Sequence, residues 1–322
     1  MQDLPKASSI VIKDCMNTQP DERVLIIIDK NKLNIGKALL QEAEKTTKHA
    51  RLTEIPVMKY NGQEPPKDVA KEMLNSDVIL MATSKSLSHT EARRKASEKG
   101  ARIASMPGIT EDIMKRTLAV DYSKITERTN KIAAELNKAY ETKDWVKITT
   151  KQGTNIKMKV SRRIKHIDEN RYHKKDKWGN LPDGEAYLAP LEGSSKGVFI
   201  VDASMAGIGK LKEPVKIEVR EGYATKIEGK EEAEKLKRLL QSFNDKSVYN
   251  IAELGIGTND KAIITGIVLE DEKVLGTAHI AFGNNVSYGG SVNAPCHLDG
   301  VFFKPTIVVG NKKIMEDGKL LV

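Results

Sequence analysis

Over the first 120 residues, short apolar runs alternate with segments of helical period. The run VLIIID at Val24–Asp29 has no polar position until its last residue, which suits a strand buried on both faces of a parallel sheet. Residues 35–46 follow with apolar positions at Ile35, Leu39, Leu40 and Ala43, the spacing of one helix face. The pattern then repeats: a strand at 52–57, a helix at 68–74 after Pro65-Pro66, and a buried strand VILMA at Val78–Ala82. A helix at 91–99 stops at Gly100, and a strand at 101–106 ends before Pro107-Gly108. Thr110 is placed to cap the helix EDIMKRTL. Such alternation predicts an α/β domain built on a doubly wound, mostly parallel sheet.

Residues 121–140 form one long amphipathic pattern, read as a linking helix, and the polar Glu141-Thr142-Lys143 follows it. The expected division is therefore 1–140 for the N-terminal domain with its helix, and 141–322 for a second domain. From Trp145 the period changes to two. VKITT and NIKMKV flank Gln152-Gly153-Thr154 as a hairpin. Strands are expected at 198–203, 211–219 and 223–228, with one clear helix at 231–243. The second domain is thus predicted to be β-rich α+β.

Composition narrows the function classes. The chain has 322 residues, a formal net charge of +9 and 30% charged residues. Its lysines are mostly interleaved with glutamates, as on a solvated surface, and the densest basic run, at 171–178, is short. With no recognition-helix or RNA-binding motif beside it, no nucleic-acid partner is expected. The first strand is followed by neither GxGxxG nor a P-loop, so no nucleotide site is assigned. Two distant cysteines fit a reducing compartment. No run reaches the ~18–20 apolar residues of a membrane span, and the first residues lack the apolar core of a signal peptide. A soluble, cytoplasmic protein without a membrane partner is expected.

Candidate chemistry concentrates near the end of the chain. Glu253, Glu270, His279, His297 and Asp299 fall within 47 residues, in short pieces bounded by glycine. Singly, each has an ordinary structural reading: a strand end, a solvated turn, a satisfied core histidine. Together they make a donor set for a divalent metal, and His297 and Asp299, two apart on a strand, would point to one face. One arrangement uses His279, His297 and Asp299 for a single ion. Another adds the glutamates and holds two ions, between which a water becomes acidic enough to attack a carbonyl. Glu185, just past the turn Pro182-Asp183-Gly184, is either an exposed turn carboxylate or a group that binds a substrate amine or supports the metal site.

Five stretches carry a family likeness: SLSHTEARRKASEKGARIASMPGIT, NLPDGEAYLAP, AELGIGTN, GTAHIAFGNN and NAPCHLDG. In these the chain resembles the aminopeptidase T family of metallo-aminopeptidases. The resemblance implies an N-terminal α/β domain, a metal-bearing C-terminal domain and a homodimer. It also implies hydrolysis of N-terminal residues from short peptides, or another small substrate, with one or two Zn, Co or Mn ions. By motif, Glu253, His279, His297 and Asp299 take ligand positions. The segment holding the second glutamate is contracted here; Glu270 is assigned to it, with Glu272 as the fallback. Glu253, Glu270 and Tyr288 take the catalytic positions, although Tyr288 departs from the usual spacing. Iron-dependent dihydroxypyridine dioxygenases resemble the same family and share the CHLD ending, but have a histidine at the position of Glu253 and no equivalent of His279. A mononuclear Fe(II) dioxygenase is accordingly the alternative to the hydrolase, and a non-catalytic metal-binding relative is the third reading.

Overall fold

The computed structural model describes residues 3–142, 144–160 and 174–322. The first part of the basic run at 171–178 therefore lies outside the described residues. The chain divides into two compact units, one of residues 1–122 and 169–183, the other of residues 123–168 and 184–322.

In the first unit five parallel strands lie in the order Ala50–Ile55, Val24–Asp29, Val78–Ala82, Arg102–Ser105 and Trp178–Asn180. Val24–Asp29 and Val78–Ala82 are buried at every position, as their unbroken apolar runs require. Helices Leu33–Glu44, Lys67–Met73, Glu91–Glu98 and Glu111–Thr117 alternate with the strands, as the sequence predicts. The Thr110 hydroxyl accepts the Ile113 N–H at 3.1 Å, closing the predicted cap. The expected α/β class with a parallel first sheet is what the fold has.

The second unit stacks two sheets and two helices on one apolar core. An antiparallel hairpin, Trp145–Thr149 with Asn155–Lys159, sits in an eight-stranded sheet. A six-stranded sheet runs in the order Gly209–Lys210, Ser204–Met205, His297–Phe303, Thr277–Gly283, Ile251–Gly257 and Glu185–Leu188. Between them pack Ile148, Met158, Phe199, Val201 and Ile217 from one sheet and Leu254, Ile256, Ile280, Phe282 and Phe302 from the other. The Phe199 and Phe282 rings meet across the core at 5.8 Å. Helix Glu231–Ser242 adds Leu236 and Leu240, and helix Tyr122–Thr142 adds Ile132 and Leu136.

This division differs from a single cut near residue 140. From Ser123 onward the long helix counts with the second unit, to which Arg128 binds it through Asp260 at 2.6 Å and Thr129 through Thr258 at 2.8 Å. Trp178–Asn180 joins the first sheet instead; three residues are too few to show a period that sequence reasoning could use.

Candidate metal centre

The site is built by alternation on the six-stranded sheet. Leu254, Ile256, Ile280 and Phe282 point to the core, so their neighbours Glu253, Gly255, His279, Ala281 and Gly283 face the other way. The register then fixes who meets whom. Glu253, Ala281 and Asp299 form one row across three strands, and Tyr187, Gly255 and His279 form another. Glu185 pairs with Gly257, and His297 with Gly283. Small residues at 255, 257, 281 and 283 leave room above the sheet for the longer side chains between them. A Cβ on Gly255 would lie 2.1 Å from the His279 ring, and one on Gly257 would lie 2.0 Å from the Val274 carbonyl oxygen. Gly257 thereby admits the segment that brings in Glu272 and Lys273.

Two groups of donors result: Glu253, His297 and Asp299, and Glu185, Glu272 and His279, with the ligand atoms of each group within 4.8 Å of one another. His297 Nε2 is 3.0 Å from Glu253 Oε2 and 3.3 Å from Asp299 Oδ1. His279 Nε2 is 3.4 Å from Glu185 Oε2 and 3.6 Å from Glu253 Oε1. Glu253 thus turns one oxygen to each imidazole. Donors held about 2.0–2.2 Å from a common ion stand roughly 3.0–3.6 Å apart, so these separations fit a divalent cation. Both ring nitrogens of His279 and Glu185 Oε2 are buried without a hydrogen bond, the state of donors shaped for an ion rather than for each other. His297 Nδ1 lies 2.7 Å from the Asn284 carbonyl oxygen. Donation of Nδ1–H to that carbonyl leaves Nε2 as the free lone pair.

The electrostatics agree. Burial disfavours a charged His279, but Glu253, Glu185 and Asp299 outweigh it and push the imidazole up to about 9. His297 is likewise raised well above its ordinary value: burial opposes the charge, and Asp299 and Glu253 overcome it. Burial also works against ionised Glu253, yet the two imidazoles hold its carboxyl below the usual range. Glu272 is pushed up to about 8 by burial, against the pull of Lys273, with Glu185 and Asp299 adding repulsion. Four carboxylates crowd a buried space in which Lys273 lies against only two of them, Glu185 and Glu272, and a cation is what the remaining pair would take up.

Four of the sequence-derived ligands, Glu253, His279, His297 and Asp299, come together here. Glu270 does not. It sits on the single turn Val268–Asp271, and its Oε1 accepts the Ile263 N–H at 2.8 Å. Glu272 stands in the donor group instead, since helical residues two apart do not share a face. The acidic run is no solvated turn: Glu270, Asp271 and Glu272 are buried, and Asp271 caps the N–H groups of Thr265 and Gly266. Glu185 is likewise buried, against Lys273 and His279, rather than exposed on a turn. Tyr288 lies on the turn Val286–Tyr288, its ring 5.1 Å from His297 and edge-on to Tyr187 at 5.4 Å. Burial, then Glu253 and Asp299, raise its phenol well above 10, so it remains a proton donor. Sequence reasoning missed Lys273 and Tyr187. Tyr187 shares the alternation of Glu185 in EAYL and could have been found from it; a lysine next to an acidic run carries no such signal.

A profile of the NicX family, 2,5-dihydroxypyridine 5,6-dioxygenase, matches residues 14–322. The chain belongs to this family. A curated member, the 2,5-dihydroxypyridine 5,6-dioxygenase of Pseudomonas putida, is 27% identical over 157 residues, which is 45% of each chain. The match thus spans under half the length of that relative. The solved structure of the Pseudomonas putida dioxygenase superposes with a TM-score of 0.82 at 19% identity, covering 99% of this chain and 97% of that one. AmpT from Thermus thermophilus superposes with a TM-score of 0.71 at 14% identity, covering 100% and 99%. The aminopeptidase resemblance therefore holds at the level of the fold. The NicX family is an enzyme family, and its description and the curated relative name a dioxygenase where the motifs implied a hydrolase. Among the described residues no helix is long and apolar enough to cross a membrane.

Proposed function

We propose that this NicX-family chain is a metal-dependent oxygenase that opens the ring of a small hydroxylated nitrogen heteroaromatic, with one divalent ion, iron by preference, held by Glu253, His297 and Asp299. The observation that carries the reading is this donor group itself. Its three ligand atoms stand at ligating separations, and its imidazole is oriented by Asn284. At 17% side-chain exposure His297 is also its most accessible donor, so a small substrate can approach from that side. The family description and the curated relative favour oxygenation over peptide hydrolysis.

A bound ferrous ion would supply the redox chemistry. The protein's part is to hold and move protons around it. Tyr288 keeps its phenolic proton, so it can donate a hydrogen bond to a substrate hydroxyl or ring oxygen beside His297. The test is oxygen uptake by protein loaded with ferrous iron under anaerobic conditions and then given 2,5-dihydroxypyridine. Uptake in step with loss of the ring absorbance supports the reading; none with any hydroxylated pyridine or related ring ends it.

One observation favours a second reading. Glu253 turns its two oxygens to His279 and His297, as a carboxylate bridging two ions would. That is the arrangement of a two-metal aminopeptidase. Release of amino acids from short peptides without oxygen, dependent on Zn or Co, would put this reading first. A homodimer is proposed from the aminopeptidase likeness, and a cytoplasmic location from the two distant cysteines.

A further inference from the structure

Lys273 has no part in the reading above, and its position is unusual. It is among the largest fully buried side chains of the protein, with 1% of its side chain exposed. Lysine is almost never so buried unless it is paired. Its Nζ lies 2.6 Å from Glu272 Oε1 and in close contact with Glu185 Oε1. Those are the two carboxylates of the second donor group. We propose that Lys273 is a built-in cation standing in for a second metal ion at Glu185, Glu272 and His279, so that the chain binds a single divalent ion at Glu253, His297 and Asp299.

The argument is one of charge and room. The second group offers one imidazole and two carboxylates, the same complement as the first. What separates the groups is the ammonium: within ion-pair distance, Lys273 engages both carboxylates of the second group, while among the described residues the first has no lysine or arginine partner. An ion in the second group would have to sit within about 2.2 Å of carboxylate oxygens, and so only a few ångströms from Nζ, in a space with little water to screen two positive charges. The lysine cannot swing out to solvent without leaving Glu185 and Glu272 buried and unpaired. Its backbone is also fixed: Lys273 N–H donates to the Glu270 carbonyl, and the Lys273 carbonyl accepts the Asn259 N–H at 2.8 Å. Lys273 and Val274 run directly over Gly257, where any side chain would collide with them.

The inference rests on the metal reading of the site but not on which reaction it performs. Its test is a metal count, which leaves the oxygenase assay to fail or succeed independently. Wild-type protein is saturated with Co(II) or Zn(II), freed of excess ion by gel filtration, and its metal per chain measured by elemental analysis. Lys273→Met removes the charge at similar size, and Lys273→Arg keeps it. The expected counts are about one for wild type and Lys273→Arg, and about two for Lys273→Met. Two ions in wild type overturn the inference, whatever the variants do. So does a Lys273→Met protein that is folded by circular dichroism yet still takes only one. Should that variant fold only when metal is supplied, and then carry two, the ion has replaced the lysine as proposed.

Discussion

A single methyl group at position 255 should displace His279 from its place in the candidate site. Gly255 lies opposite His279 across two paired strands, and a Cβ there would stand 2.1 Å from both Cε1 and Nε2 of the ring. Ordinary carbon contacts begin near 3.5 Å, so in Gly255→Ala the ring must retreat by about 1.4 Å. His279 has 1% of its side chain exposed. Overpacking of this kind costs about 1–3 kcal/mol, and in a unit of this size each kcal/mol lowers Tm by about 2–4 °C. Gly255→Ala should therefore melt about 2–12 °C below wild type by calorimetry. The cause can be isolated with the double variant Gly255→Ala/His279→Ala. If the clash is the mechanism, adding the methyl to a protein already lacking the ring costs much less than adding it to wild type. A Gly255→Ala protein with unchanged Tm would refute the geometry, and additive losses in the double variant would refute the clash.

Other consequences follow from the same site. His297→Ala removes the donor oriented by Asn284 and should abolish turnover, with circular dichroism unchanged; activity retained in a metal-free preparation of it would sink the metal mechanism. Glu272→Gln should leave the metal count at about one, because Glu272 is paired with Lys273 rather than with the ion, whereas Glu270→Ala should act on stability, by about 1–3 kcal/mol, because it leaves the Ile263 N–H without its acceptor; metal titration and thermal melts of both check this. In metal-free protein His279 titrates near 9, against about 6.5 in the unfolded chain. The folded state then holds a proton that the unfolded state has lost, so this contribution is complete below about pH 6.5 and gone above about pH 9. Glu272, raised to about 8, also makes stability fall with rising pH, from about 4.5 to 8. Tm of the metal-free protein should drop between pH 6 and pH 9.5, and a flat or rising profile would contradict the electrostatics. Metal binding near pH 7.5 must displace the imidazole protons, so its calorimetric heat should vary with the ionisation enthalpy of the buffer, showing about one proton or more released.

The N-terminal strands and helices were legible because burial on both faces of a parallel sheet imposes long apolar runs, and Val24–Asp29 and Val78–Ala82 have them. The donors Glu253, His279, His297 and Asp299 were legible for a different reason. They sit on strands, where a period of two holds the side chains of one face in a fixed row, so motif spacing translates directly into geometry. Glu270 and Glu272 lie off the sheet, on a single helical turn and its end. There the direction of a side chain is set by how the turn lies against its surroundings, which the local sequence does not encode. Lys273 escaped for the same reason, compounded by chemistry: a lysine beside acidic residues is ordinarily a surface ion pair, and only the path of the chain over Gly257 takes this one inside. The same limit bears on function. The motifs of the sheet donors imply a hydrolase, while the profile match over residues 14–322 names a dioxygenase. The residues able to decide between one ion and two, Glu185, Glu272 and Lys273, include two that the sheet pattern does not reach. Reaction class in this fold is thus open to decision by one short segment laid across a glycine, which can carry a carboxylate alone or a carboxylate with its own cation.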